Sequence, residues 1–432
     1  MRTITTGDMM HVHGGFGAGV DYTVRLTVRL ADPVDAQMLQ AALTKTQHRY
    51  PYLNVRMKKG EGAFYYVDNP LPIVLLHGDD RVHLGTDAVN GHLWAISYMD
   101  DRLHLDCYHG ITDGTGMYRV LATLLYYYCA ARYGVTDPEG ADLETDVISA
   151  AETMDPQDLL PLLDPSAIPA AHFDPAFTLE TDGGLTPSAP TIWDIEVPED
   201  AFMRFTTEND STPGTMVSLL MAHAIDSLYP NRTKEIISAY VINARPMLDA
   251  AKTYHNCLGM AIFDYSARIK GMPMQRQCTI YRGKTFVQSF DPVVKDTTIA
   301  SASSIKAIAA AAHTVEEKKQ VFGQMFNGGE GLISFLVSYT GKWKHQETGN
   351  YMREFWLHPP NTFSLMVELG AAGGKIFLSI QQRFLEDTIR EAFLRQLEAH
   401  DIPYRICRKA GSDIAHFAEA SVTEGQQLGY WK

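Results

Sequence analysis

Polar and apolar residues alternate most regularly near the start of the chain, where residues 21–30 read D-Y-T-V-R-L-T-V-R-L. Such alternation places one set of side chains on each face of a β-strand, so this segment is predicted to be a strand. A second alternating segment runs from Leu103 to His109, and the Asp100-Asp101 pair before it predicts the turn of a hairpin. Further strands are predicted over residues 63–67, 93–99, 191–197 and 235–243.

Apolar residues at helical spacing follow Gly116 and predict a buried helix. Its apolar positions are Met117, Val120, Leu121, Leu124, Leu125 and Tyr128. Capping residues and prolines predict other helices. They run from Asp32-Pro33 to about Tyr50, from Thr212-Pro213 to about Tyr229, over 300–326 and over 386–400. Strands and helices are mixed throughout, so the predicted fold class is α/β, of the mixed α+β kind.

The distribution of proline predicts how the chain is divided. Seven of the 21 prolines fall within residues 155–190, which indicates a connection rather than a packed element. At 432 residues the chain is also long enough for two hydrophobic cores. We therefore predict an N-terminal half over 1–170, a linker over 171–190 and a C-terminal half over 191–432.

Composition and charge narrow the classes of function. A hydrophobic content of 45% and a charged content of 20% are typical of a globular protein. The net charge of −14 disfavours nonspecific binding to nucleic acid and to anionic membranes, although a local basic pocket is compatible with it. The N-terminus lacks the apolar core of a signal peptide, and no apolar run is long enough to span a bilayer. We expect a cytoplasmic protein with no nucleic-acid partner and no membrane span.

Two arrangements that could bind metal or form disulfides are expected to be absent. The five cysteines are scattered and form no C-x-x-C pair, so neither a disulfide framework nor a zinc knuckle is indicated. His11 and His13 would lie on one face of a strand, but no third ligand is suggested. No metal site is predicted.

The segment His109-Gly110-Ile111-Thr112-Asp113-Gly114 carries the clearest chemistry. It follows a predicted strand, opens a predicted helix and reads H-x-x-x-D-G. A histidine can accept and return a proton near neutral pH, so His109 is a candidate general base. Asp113 can hold the local backbone or a cation, and Gly114 permits a tight turn from strand to helix. The alternative is a core histidine that only hydrogen-bonds to backbone.

This motif resembles the H-x-x-x-D-G signature of the thioester-dependent acyltransferase superfamily. That superfamily includes chloramphenicol acetyltransferase, alcohol acetyltransferases, polyketide-associated acyltransferases, plant acyl-CoA transferases and nonribosomal peptide condensation domains. Condensation domains usually have two consecutive histidines, of which His109 matches the second and Tyr108 replaces the first. This departure argues mildly against a peptide condensation domain.

Three further segments extend the resemblance over most of the chain. Residues 240–246 form a predicted strand that ends in N-x-R-P, followed by N-C-L-G over 256–259. Residues 335–342 are placed like the second signature, D-F-G-W-G, although only Gly341 clearly corresponds. Residues 32–53 are similar to the helix and "hPxL" turn that precede the active strand.

The resemblance implies two chloramphenicol acetyltransferase-like halves that form a V, with His109 near the middle of a central channel. It implies transfer of an acyl group from acyl-CoA, most simply acetyl-CoA, to a hydroxyl or amine of a small acceptor. Asp113 would then be structural and paired with Arg245, while Ser338 and Thr340 are candidates for an oxyanion or channel role. Acyl-CoA would act as a co-substrate, and no tightly bound cofactor is expected.

Two other functions remain open at this point. One is a condensation enzyme that takes its acyl group from an acyl or peptidyl carrier protein. The other is a non-catalytic binding member of the same fold, which the weak second signature and Tyr108 favour and the intact His109, Asp113 and Gly114 disfavour.

Overall fold

Two large β-sheets organise the chain and helices cover them. The computed structural model describes residues 2–17, 22–143, 147–164, 174–329, 331–360 and 362–410. Up to residue 164, the elements are β1 (Arg2–Thr3), α1 (Thr6–Gly17), β2 (Thr23–Leu30), α2 (Ala36–Arg49), β3 (Val55–Lys59), β4 (Phe64–Asp68), β5 (Leu75–His77), β6 (Trp94–Met99), β7 (Arg102–Tyr108), α3 (Gly114–Tyr133), α4 (Ala150–Thr153) and α5 (Pro156–Leu159).

From residue 174 onward, the elements are β8 (Pro187–Pro198), α6 (Glu199–Glu208), α7 (Pro213–Leu228), β9 (Ile236–Asn243), β10 (Leu258–Tyr265), α8 (Ala267–Lys270), α9 (Met274–Gln288), α10 (Asp291–Ala311), α11 (Val315–Gly329), β11 (Phe335–Lys342), α12 (Gln346–Gly349), β12 (Met352–His358), β13 (Leu365–Ala372), β14 (Lys375–Phe384), α13 (Thr388–Ala399) and β15 (Arg405–Ala410). Short 3₁₀ turns lie at Pro51–Leu53, Asp87–Val89 and Pro246–Leu248.

Each half has its own large sheet. The first sheet has the strand order β12-β2-β7-β6-β5, and the second has the order β10-β9-β11-β13-β14-β8-β15. A small sheet, β1-β4-β3, lies beside the first. Each large sheet has its own cluster of buried apolar side chains, and these two clusters form the main cores. The fold is therefore mixed α/β with two lobes, as the sequence predicts.

The two halves share one strand. β12 comes from the part of the chain after residue 191, yet it pairs antiparallel with β2 at the edge of the first sheet. At the last residue of β12, His358 Nε2 lies 3.0 Å from Asp194 Oδ1 of β8, and both side chains are buried. The proposed boundaries at 170 and 190 stay a prediction, but the halves are joined by more than a linker.

The described part of the predicted linker is packed rather than free. Phe177, Leu179 and Leu185 are buried in the second core, and β8 already begins at Pro187. Apolar residues in this proline-rich segment thus anchor it to the second half.

Two predicted helices differ from those observed. The cap of α2 is Asp35, whose side chain accepts the N–H of Met38 at 2.9 Å, because Pro33 and Val34 stay outside the helix. The predicted helix over 300–326 is two helices, α10 and α11, since Ala312 takes an extended conformation between them. No helix in the described ranges is long and apolar enough to cross a membrane.

Candidate active site

His109 lies immediately after β7, at the end of the hairpin that β6 and β7 form. Its backbone N–H donates to the carbonyl of Tyr22 at 2.9 Å, which fixes the end of the strand against the residue before β2. Four residues later, Asp113 caps α3 by accepting the N–H groups of Thr115 and Gly116, each at 3.1 Å. The motif therefore spans a turn that is fixed at both ends.

Asp113 and Arg245, which the resemblance expects to pair, form a two-pronged ion pair. Arg245 Nη1 lies 2.8 Å from Asp113 Oδ2 and Nη2 lies 2.9 Å from Oδ1, with side-chain exposures of 2% and 0%. The guanidinium also donates to the carbonyls of Thr253 and His255, and Asp113 Oδ2 accepts the N–H of Cys257 at 3.0 Å. This pair therefore binds the first turn of α3 to the segment after β9.

The negative charge of Asp113 is balanced inside the protein by Arg245. Burial by itself raises the pKa of this carboxyl, but the Arg245 guanidinium and the N–H donors outweigh burial and hold the pKa below its usual value. Two cavities lie beside the H-x-x-x-D-G motif, and Asp113 lines neither of them. The geometry fits a structural carboxylate and gives Asp113 no access to a substrate.

His109 is half-buried and lines a cavity of about 150 Å³ between the two large sheets. Its ring stacks on that of His11, with centroids 5.1 Å apart and planes 2° from parallel, and on the ring of Tyr22. Burial lowers the pKa of His109, and nearby groups that include Asp113 raise it only in part. The imidazole is therefore neutral near pH 7, as a general base must be.

The Nδ1 atom of His109 is buried, and the groups that raise the pKa of the ring by hydrogen bonding are the backbone of His109 itself and the Asn256 side chain. Nε2 is therefore the ring nitrogen that remains as a candidate proton acceptor. His11 is held separately, since its Nδ1 lies 2.6 Å from the hydroxyl of Tyr22. Burial, together with neighbouring His109, lowers the pKa of His11 to about 3, so two neutral imidazoles lie side by side.

A buried network from α1 holds the backbone of His109. Asp8 Oδ1 accepts the backbone N–H of Asn256 at 3.0 Å and its side-chain Nδ2 at 2.8 Å, and the same Nδ2 donates to the carbonyl of His109 at 3.0 Å. The other oxygen of Asp8 lies 2.5 Å from His255 Nδ1. Burial opposes both charges, but each group holds the other ionised, which lowers the pKa of Asp8 and raises that of His255.

A second and larger cavity, of about 500 Å³, adjoins the first. The two cavities share four lining residues, Gly114, Thr115, Asn243 and Thr340. The smaller cavity is lined mainly by apolar side chains of the two sheets. The larger one is lined by charged side chains of both signs: Arg49, Arg119, Lys252 and Lys344 are basic, and Glu139, Asp142 and Glu152 are acidic. The start of α3 therefore lies where an apolar cavity meets a charged one.

Ser338 and Thr340 both line the smaller cavity, and Thr340 lines the larger one as well. The Thr340 hydroxyl donates to the carbonyl of Leu369 at 3.2 Å, and the Ser338 hydroxyl bonds to Glu368. Both residues are thus beside the shared lining of the two cavities, and their oxyanion role stays a prediction.

Gly114 is not required for a tight turn between β7 and α3, so the conformational role that the sequence predicts for it is wrong. It is the first residue of α3 and its φ is not positive; a Cβ there would lie 3.5 Å from Thr340 Cγ2, an ordinary contact. Gly116 is the constrained glycine, because its Cβ would overlap Thr112 Oγ1, whose hydroxyl is held by the carbonyl of Tyr254 at 2.6 Å.

These two glycines give a matched pair of substitutions. We expect Gly116→Ala to lower the free energy of unfolding by about 1–3 kcal/mol through overpacking. Gly114→Ala should leave stability within about 0.5 kcal/mol and instead narrow the passage between the cavities. Urea denaturation of both variants measures this, and equal losses of stability would contradict the assignment.

Several residues of the site could not be found from the sequence. His11 and Asn256 come from distant parts of the chain, and His11 and His13 do not share a ligand face because they lie on a helix. The ring of His13 packs instead against Phe64 and Phe322. Among the described residues, no group of three His, Cys, Asp or Glu side chains could hold a metal ion.

Comparisons with known proteins find solved structures with a similar fold but no match to a family model or a curated protein. Among solved structures, polyketide synthase associated protein 5 from Mycobacterium tuberculosis is similar over 92% of this chain and 96% of its own, with a TM-score of 0.63 and 13% identity.

Two other solved structures are similar over nearly their whole length. F. sporotrichioides TRI101 in complex with coenzyme A and T-2 matches 90% of this chain and 96% of its own, with a TM-score of 0.56 and 12% identity. The first condensation domain of the CDA synthetase matches 98% of this chain and 97% of its own, with a TM-score of 0.60 and 14% identity. The chain therefore has the two-lobed coenzyme A acyltransferase-like fold that the H-x-x-x-D-G motif predicts.

Proposed function

We propose that the chain transfers an acyl group from acyl-CoA to a hydroxyl or amine of a small acceptor, with His109 as the general base. The observation that carries this proposal is the position of His109. A neutral imidazole lines an apolar cavity that meets a larger, charged cavity at Gly114, Thr115, Asn243 and Thr340. An acceptor in the first cavity and a thioester in the second would meet beside His109.

The proposed acyl transfer needs two groups of the protein, a general base and a donor to the oxyanion. His109 Nε2 takes the proton of the acceptor hydroxyl or amine as its oxygen or nitrogen attacks the thioester carbonyl carbon. The tetrahedral intermediate then breaks its C–S bond, and the thiolate receives the proton back from the imidazolium. We assign the oxyanion contact to Thr340, because it lines both cavities where the carbonyl would lie. Its hydroxyl would exchange the hydrogen bond to the Leu369 carbonyl for one to the oxyanion.

We assign the donor to the larger cavity. Its volume of about 500 Å³ is within the range of ligand pockets, and Lys252 and Lys344 at its wall are exposed. Neither lysine forms an ion pair with another described residue, whereas Arg49 at the same wall is bonded to Glu152 at 2.9 Å. Two free ammonium groups suit the phosphates of coenzyme A.

Replacing these two lysines tests the donor assignment. The double variant Lys252→Ala/Lys344→Ala should raise KM for acetyl-CoA about three- to tenfold and leave kcat within twofold or so, since exposed charges contribute about 0.2–1 kcal/mol each. Lys342→Ala is the matched control, because Lys342 is bound to Glu199 at 2.7 Å and lines neither cavity. Steady-state kinetics with an unchanged KM in the double variant would refute the assignment.

The experiment that tests the proposed function is release of free thiol from acetyl-CoA with a panel of alcohols and amines. Release that depends on the acceptor supports acyl transfer. Release only with an acyl carrier protein as donor would support a carrier-dependent condensation enzyme. Absence of release with either donor would favour a non-catalytic binding protein.

A further inference from the structure

A row of polar side chains crosses the second sheet. Ser338 of β11 is directly opposite Glu368 of β13, Glu368 is opposite Ser379 of β14, and Ser379 is opposite Asp194 of β8. Directly opposed residues point to the same face of a sheet. Ser338 and Glu368 line the cavity of His109, so this row lies on the face that is turned toward the first half.

The Asp194 end of this row is neutralised. Its carboxylate accepts the hydroxyl of Ser379 at 2.9 Å, lies 3.0 Å from His358 Nε2 and lies 3.6 Å from Arg408 Nε. Burial raises the pKa of Asp194, but the neighbouring histidine and arginine outweigh burial and lower it. The Asp194 carboxylate therefore has one cation of the protein beside it, Arg408, while His358, whose pKa burial lowers, provides a hydrogen bond.

The Glu368 end lacks such a cation. Its hydrogen-bond partner is the Ser338 hydroxyl, and no lysine, arginine or histidine among the described residues forms an ion pair with it. Its neighbours on the cavity wall are apolar; they include Val241, Leu336, Phe363 and Met366. Burial accordingly raises the pKa of Glu368 to about 7.

Glu368 is half-buried, whereas several carboxylates of this chain are fully buried and have a partner of opposite charge. Asp113 is paired with Arg245, Asp106 with Arg25 and Asp8 with His255. Burying an unpaired carboxylate is costly, and an opposite charge removes most of that cost. Glu368 differs from these groups in one further respect, because it faces a cavity that a ligand can enter.

We propose that Glu368 binds a positively charged nitrogen of the acceptor, so that the preferred acceptors are amino alcohols or diamines. One end of the acceptor, a neutral hydroxyl or amine, would lie at His109 and lose its proton, while an ammonium group at the other end would lie at Glu368 and remain unchanged. The cavity of about 150 Å³ limits the acceptor to a short carbon chain. The inference rests on the proposed function in placing the acceptor in this cavity.

Direct binding tests the proposal without turnover. Isothermal titration at about pH 8, above the pKa of Glu368, compares aminobutanol with pentanol, which has a methyl group in place of the ammonium. The wild-type protein should bind aminobutanol about tenfold more tightly than pentanol. Glu368→Gln should weaken aminobutanol about tenfold and leave pentanol within about twofold, while Glu208→Gln on the exposed face of α6 should change neither.

Two results would overturn the proposal. One is equal affinity of the wild-type protein for the two probes, which needs no variant. The other is a folded Glu368→Gln protein that keeps the wild-type preference for aminobutanol.

Thiol release separates this proposal from the proposed function. Turnover of both probes at equal efficiency would refute the role of Glu368 and keep acyl transfer. Tight binding of aminobutanol through Glu368, without thiol release from any donor, would refute acyl transfer and keep the cation site.

Discussion

His109→Ala is expected to lower the rate of acceptor-dependent thiol release by about 10²–10⁴-fold, the usual contribution of a general base. The effect should fall on kcat more than on KM for acetyl-CoA, because His109 lines the smaller cavity, which we assign to the acceptor, and not the larger, charged one. His313→Ala is a matched control, since His313 is exposed before α11. A His109→Ala protein with full turnover would refute the assignment of the base.

The pH dependence of the wild-type rate follows from the same residue. Because burial holds the pKa of His109 below its usual value of about 6.5, the rate should rise with pH below that value and be level near neutrality. His109→Ala should lose this acidic limb from whatever activity remains. A wild-type rate that still rises steeply above neutral pH would contradict a neutral imidazole at the site.

Asp113→Ala is expected to lower the free energy of unfolding by about 3–5 kcal/mol, because it leaves the buried Arg245 guanidinium without its counterion. It also removes the cap of α3 and the acceptor of the Cys257 N–H. Arg282→Ala on the surface, whose side chain is 58% exposed in its pair with Asp210, should change stability by less than about 1 kcal/mol. Urea denaturation measures both variants, and unchanged stability of Asp113→Ala would refute the structural role.

The sign of the pH effect on this pair is fixed by the depressed pKa of Asp113. Its contribution is complete above the ordinary pKa of an unfolded aspartate, about 3.8, and is lost as the pH falls through the lower folded value. The difference in stability between wild type and Asp113→Ala should therefore be largest at neutral pH and shrink in strong acid.

Local patterns predicted the elements around the motif well. The alternation before His109 and the apolar spacing after Gly116 depend on near neighbours, so β7 and α3 lie where the sequence places them. The pairing of Asp113 with Arg245 came from the resemblance, because no periodicity connects residues 132 positions apart. The prediction of one continuous helix over 300–326 was wrong, because the break at residues 312–314 is too short to disturb the helical spacing of the apolar residues clearly.

The residues that support the site could not be predicted from local sequence patterns. Asp8 holds Asn256 across 248 positions of sequence, and the stacking of His11 on His109 depends on how α1 packs. Glu368 looks like one polar residue in an ordinary strand until the pairing of β11, β13 and β14 places it beside Ser338. Contacts of this kind are set by the arrangement of whole sheets, which the sequence of one chain does not reveal.

The strand that β12 contributes to the first sheet has a consequence for how the protein folds and can be divided. A fragment that ended before residue 352 would leave β2 as an edge strand, with a row of unpaired N–H and C=O groups flanked by Val24, Leu26 and Val28. Such an edge is a template for pairing with other chains. We therefore expect the N-terminal half to be prone to aggregation until most of the chain has been synthesised, and we expect the two lobes to unfold together rather than as separable modules.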